Sequence, residues 1–174
     1  MITSTPHLRW STDRAVFIGL VILLLFSGCE RADSQNTQQE TKSYQGVIVA
    51  MGNSLTSGLG VNQQQSYPEQ LKQLLAESGL HFDVINSGVS GETSSGAKSR
   101  IDWVLKLQPD IVILETGAND GLRGIEPKLI EENISFIIEA LLARNVGVVL
   151  SGMQMVTNLG PEYLNAFNQI YPKL

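Results

Sequence analysis

From residue 46 onward, short apolar runs alternate with longer segments whose apolar positions recur every three or four residues. Residues 46–51 (GVIVAM) form a continuous apolar run, the pattern of a strand buried on both faces. Ser66-Tyr67-Pro68-Glu69 then predicts a helix start, with Ser66 as cap, proline in the first turn and Glu69 at the capping-box position. Leu71, Leu74 and Leu75 give that helix one apolar stripe, and Gly79 stops it. Residues 82–86 predict a second strand, and residues 93–107 a second helix with Ile101, Val104 and Leu105 inward and Pro109 beyond its end. Residues 111–116 (IVILET) predict a third strand, followed by a long helix over 127–144 carrying Leu129, Ile130, Ile134, Ile137, Ile138, Leu141 and Leu142 at helical spacing. Residues 146–153 predict a fourth strand, and residues 161–171 a helix with Leu164, Phe167 and Tyr171 inward. Strand and helix in alternation imply a parallel sheet covered on both faces, and right-handed crossovers make it a three-layer α/β/α sandwich.

The first 45 residues follow another pattern. Arg9 and Arg14 precede an apolar run over 15–26 that is shorter than the ~20 residues a spanning helix needs, so 1–28 reads as a secretory signal. Its end, Phe26-Ser27-Gly28-Cys29, resembles a bacterial lipoprotein signal, which implies lipidation at Cys29. A plain signal or an uncleaved anchor is the other reading. Residues 29–45 are rich in Gln, Thr and Ser and lack an apolar period, as in a polar tether. The expected location is the periplasm or cell envelope, with the membrane as a partner through the lipid anchor.

Composition narrows the chemistry. A 43% hydrophobic, 17% charged chain of 174 residues suits one folded domain, and a net charge of −5 excludes the basic footprint of a nucleic-acid binder. The single cysteine, Cys29, excludes an intrachain disulfide and a zinc site built on several thiolates. Neither a metal nor an organic cofactor is expected. The two histidines are His7 and His81.

In open parallel sheets, sites form beyond the carboxyl ends of the strands. The three segments there are Gly52-Asn53-Ser54-Leu55-Thr56-Ser57-Gly58, Ser87-Gly88-Val89-Ser90-Gly91-Glu92-Thr93 and Gly117-Ala118-Asn119-Asp120-Gly121, all rich in glycine and small polar residues. Ser54 stands just past a strand, where a tight turn exposes a nucleophile, although a turn serine or helix cap fits that position too. The Gly91 N–H and the Asn119 amide are candidate oxyanion donors, while positive φ and an Asx turn explain the same two residues separately.

These three segments resemble the sequence blocks of the SGNH (GDSL-like) hydrolases, particularly bacterial thioesterase I/lysophospholipase-type enzymes. The resemblance implies a serine esterase or thioesterase with Ser54 as nucleophile and an oxyanion hole made by Ser54, Gly91 and Asn119. It also implies a five-stranded flavodoxin-like sheet and acyl ester or thioester substrates. Two departures stand out: Asn53 occupies the place of the family's aspartate, and the family's closing Asp-x-x-His block is not found. The expectation is therefore a chain lacking its last strand and helix, with the base histidine beyond residue 174. Two alternatives remain open at this point: a lipid-anchored pseudoenzyme, and a flavodoxin-like phosphate- or FMN-binding module with its phosphate loop at 53–58.

Overall fold

The computed structural model describes residues 44–155 and 159–174. The signal expected at 1–28, its Cys29 neighbour and nearly all of the tether lie outside the described residues. Among the described residues, no helix is long and apolar enough to cross a membrane.

Four strands, β1 (Val47–Gly52), β2 (Asp83–Gly88), β3 (Ile111–Leu114) and β4 (Gly147–Leu150), make a sheet in the order β2-β1-β3-β4. Each neighbouring pair is parallel, with Val49 between Ile85 and Val112, and Ile113 opposite Val149. The helices are α1 (Ser54–Ser57), α2 (Tyr67–Glu77), α3 (Ser94–Ser99), α4 (Ile101–Lys106), α5 (Ala118–Leu122), α6 (Pro127–Leu142) and α7 (Pro161–Lys173), with a 3-10 turn at Gln63–Gln65. The chain first steps from β1 to β2, then returns to the other side of β1 for β3. That reversal creates a crevice between the carboxyl ends of β1 and β3, where α/β sheets bind their ligands.

Alternation along the strands sorts the core. Val49, Met51, Val112 and Leu114 face one side and join Ala97, Ile101, Val104, Ile130, Ile134, Ile137, Leu141, Phe167 and Ile170 in one buried cluster. Ile48, Ala50 and Val84 face the other side, where α2 packs on β2. At the β4 end the second face is thinner: Val149 is 53% exposed and Ile111 and Ile113 are half-buried.

The sandwich class, the strand order along the chain and the inward residues of α7 agree with the pattern reading. Five local features differ. The helix expected over 93–107 breaks at Arg100 (φ −109, ψ 10) into α3 and α4, and that break aims the Arg100 guanidinium back at the ends of β1 and β2. Ser66 occupies the N-cap position of α2 without capping it: its hydroxyl donates to Gln63 O at 2.7 Å and its N–H to the same oxygen, so no capping box forms with Glu69. Leu74, Leu129 and Leu142 are exposed, so the apolar stripes are narrower than their leucine counts suggest. β4 ends at Leu150, well before Met153, because its partner β3 ends at Leu114 and Ser151 N–H closes the ladder on Leu114 O. Two of the segments read as loops after strands contain one-turn helices, α1 and α5.

Candidate active site

Ser54 is the first residue of α1, directly after β1. Asn53 is the N-cap, its side-chain oxygen accepting from Leu55 N–H at 2.9 Å, and Gly58 closes the helix in the left-handed region (φ 79). A first-turn residue has no intrahelical partner for its N–H. The Ser54 N–H donates to nothing among the described residues, and the side chain is half-buried at the crevice.

The turn rests on a buried carboxylate. Glu115, 6% exposed, accepts from Asn53 N–H at 3.1 Å, from Asn53 Nδ2 at 2.6 Å and from Thr56 Oγ1 at 3.0 Å. Gly52 is required here: a Cβ would strike Thr56 Oγ1 and lie 2.6 Å from Glu115 Oε2. Thr56 also reaches Tyr67 Oη at 3.3 Å. Burial raises the Tyr67 hydroxyl above its ordinary pKa; the Thr56 hydrogen bond partly offsets this and the Glu115 charge adds to it.

The second segment is tied to the first and third. Val89 N–H donates to Gly52 O at 2.8 Å, and Ser57 Oγ lies 3.0 Å from Ser90 Oγ. Gly91, at φ 80, is exposed, and its N–H has no partner among the described residues. Asn119, in α5, donates from Nδ2 to Glu92 O at 2.9 Å. An amide nitrogen carries two hydrogens, so this bond orients the group and leaves one donor free. The three residues named from sequence thus sit on segments hydrogen-bonded to one another around the crevice, with three donors unengaged.

Three supporting groups carry no periodic signal, and the sequence reading assigned none of them a role. Arg100 grips Glu92 with two bonds of 2.7 Å and also donates to Ser87 Oγ (2.6 Å), Ser87 O (2.9 Å) and Gly52 O (3.5 Å). Asp120, wholly buried, accepts from Ser94 N–H (2.8 Å) and Ser94 Oγ (2.6 Å), which locks α5 to the start of α3. Glu115 itself shows one legible sign, a carboxylate closing a buried apolar strand. His81 lies elsewhere: it is exposed, and its carbonyl accepts from Gln45 N–H at the start of β1. At ~3.3 Å per residue, the length of β1 puts it roughly 20 Å from Ser54. No group of three metal-ligating side chains occurs among the described residues.

A parallel α/β sheet with a capped serine turn at its switch point and spare donors beside it is the arrangement of an SGNH hydrolase. AlinE4, an SGNH-hydrolase family esterase, is similar in structure with a TM-score of 0.72 at 40% identity, over 75% of this chain and 71% of that one. The GDSL-like lipase/acylhydrolase family profile matches residues 50–174, and the chain belongs to that family. Esterase TesA of Pseudomonas aeruginosa is 34% identical over 149 residues, covering 85% of this chain and 72% of the relative. The arylesterase of Vibrio mimicus is 35% identical over 158 residues, covering 90% and 74%. The protein is an acyl ester hydrolase by descent, which sets aside the FMN-module reading. The Glu115 carboxylate under the 53–58 turn is also the wrong charge to cradle a phosphate.

Proposed function

We propose that the protein is an exported serine esterase that hydrolyses acyl esters and thioesters through Ser54. The Ser54 hydroxyl attacks the acyl carbonyl. The oxygen becomes an oxyanion held by the Ser54 N–H, the Gly91 N–H and the free Asn119 amide hydrogen, the leaving group departs with a proton, and water releases the acid. The observation that carries this reading is the first turn of α1, where Asn53 spends its side chain on Leu55 N–H and the Ser54 N–H stays free. The proton acceptor is not assigned to any described residue, since His81 lies at the opposite end of the sheet. Export and lipidation at Cys29 rest on the leader pattern alone.

The test is hydrolysis of p-nitrophenyl acyl esters by the wild type and by Ser54→Ala. The Ser54-dependent part of the rate is expected to vanish in the variant. A variant retaining a tenth or more of wild-type turnover would remove Ser54 from the mechanism.

A further inference from the structure

The donors read as an oxyanion hole stand on three separate segments. A single guanidinium, that of Arg100, is bonded to two of these segments and reaches the third through one further hydrogen bond. Its Nη2 donates to Gly52 O at the end of β1, two residues before Ser54, and to Ser87 O near the end of β2. Nε and Nη2 form a fork on the Glu92 carboxylate, both at 2.7 Å, and Nη1 donates to Ser87 Oγ. Glu92 directly follows Gly91 and closes the turn that holds it, its N–H donating to Val89 O at 3.1 Å. The other end of that turn is pinned by Val89 N–H on Gly52 O at 2.8 Å. The Glu92 carbonyl accepts from the Asn119 amide at 2.9 Å. A shift of Glu92 therefore shifts the Gly91 N–H and the Asn119 amide together. We propose that Arg100 is a positioning residue for the oxyanion hole, setting the Gly91 and Asn119 donors against the end of β1 by holding Glu92. The proposal rests on the reading of Ser54 as nucleophile with Gly91 and Asn119 as its oxyanion donors.

The chain is shaped around this contact. The helical path breaks at Arg100 itself, between α3 and α4, and the break turns the side chain toward the strand ends. Gly96 leaves room for the partner: a Cβ there would lie 3.0 Å from Glu92 Cγ. The two side chains are 17% and 7% exposed. In an enclosed ion pair, desolvation offsets much of the attraction, so the pair adds little net stability while it fixes the segments it joins. Direction matters more than charge here. A guanidinium is a planar fork that can hold a carboxylate, a hydroxyl and carbonyls in set directions, whereas a lysine ammonium carries the same charge as a point. A second cation, Arg123, touches the same turn, but from an exposed position and through one bond, Nη2 to Gly91 O at 3.0 Å.

The experiment is a double-mutant cycle between Arg100→Lys and Asn119→Ala. It is read as Ser54-dependent kcat and KM on p-nitrophenyl butyrate at room temperature, with melting curves to show that each variant is folded there. A misplacement of about 1 Å lowers turnover on the order of 10²-fold, so Arg100→Lys should lower kcat by ~10- to 100-fold. KM should stay within about two-fold, because the oxyanion donors act on the transition state. Since Arg100 acts partly through Asn119, its loss should be at least about three-fold smaller in the Asn119→Ala background. An arginine that only stabilises the fold lowers Tm and leaves the kcat of folded molecules alone. An unchanged kcat, a loss confined to KM, or two losses that multiply in full overturns the proposal. Should Arg100→Lys fail to fold, Glu92→Gln takes its place in the cycle under the same outcomes. That variant keeps the Arg100 contacts to Ser87 and Gly52 and turns one carboxylate oxygen into an NH2 group facing the guanidinium. The side-chain amide resonance of Asn119, identified by its loss in Asn119→Ala, gives a readout independent of turnover. It should move in Arg100→Lys, and an unmoved resonance also overturns the proposal. Should Ser54→Ala leave ester hydrolysis intact, the proposed nucleophile fails, while that resonance still decides whether Arg100 sets the Asn119 amide.

Discussion

At the scale of single residues, the site is a set of donors kept free by others that are engaged. Asn119 is the clearest case, because one amide hydrogen is committed to Glu92 O and the second is aimed by that commitment. An oxyanion donor acts on the transition state, so Asn119→Ala should lower the Ser54-dependent kcat by ~10²-fold or more while leaving KM nearly unchanged. Steady-state kinetics on p-nitrophenyl butyrate separate the two; a raised KM with intact kcat would make Asn119 a ground-state binder. Gly117 is the N-cap of α5, the short helix that carries Asn119. It sits at φ 111, and a Cβ there would collide with the Tyr171 hydroxyl, so Gly117→Ala should be destabilising as well as slow. The residues proposed to touch the reaction were legible as small polar residues after strands. Their supports were not: Arg100 meets Glu92 eight positions away, and Glu115 meets Asn53 across 62, separations with no local signature.

Elements show which signals the chain carries strongly. The long amphipathic helix α6 and the apolar strand β1 were placed to within two residues, since their patterns are uninterrupted. The one-turn helices α1 and α5 were invisible, being shorter than any period. α3 and α4 merged because Arg100 breaks the backbone for the sake of its side chain, a tertiary demand without a glycine or proline to mark it. The α7–β3 junction makes a pH prediction. Tyr171 Oη donates to Thr116 O at 2.7 Å, and its hydroxyl is raised well above 10, mainly by burial and further by Asp120 and Glu115. A raised folded pKa means that the stability from this group is fully present below ~10, the unfolded tyrosine value, and is lost as pH climbs above it. Tyr171→Phe should cost about 1–3 kcal/mol at pH 8 by stranding Thr116 O, and should show a smaller loss of Tm between pH 8 and 11 than the wild type. Thermal melts at both pH values check this, and equal losses in the two proteins would discard the assignment.

For the whole molecule, the fold class and the placement of three segments around one crevice followed from strand–helix alternation, because a parallel sheet leaves few other places for them. The thin cover near β4 did not follow, since burial on a sheet face depends on which helices lie across it. β4 ends the sheet among the described residues, and Val149 is exposed on it. Such an edge recruits other strands. The 174-residue chain should self-associate with rising concentration, and Val149→Lys should reduce that in light scattering. Among the described residues, no base is assigned to Ser54. A serine hydroxyl is a weak nucleophile without an adjacent base, and of the two histidines His81 lies ~20 Å away along β1 while His7 falls in the segment read as a signal. Added imidazole should raise the rate of p-nitrophenyl acetate hydrolysis more in the wild type than in Ser54→Ala, because a diffusible base can accept the serine proton while the donors around Gly91 and Asn119 wait in place. The difference between the two proteins subtracts imidazole's own attack on the ester. An equal response in both would show that the serine turn is not built to react, whatever base it is given.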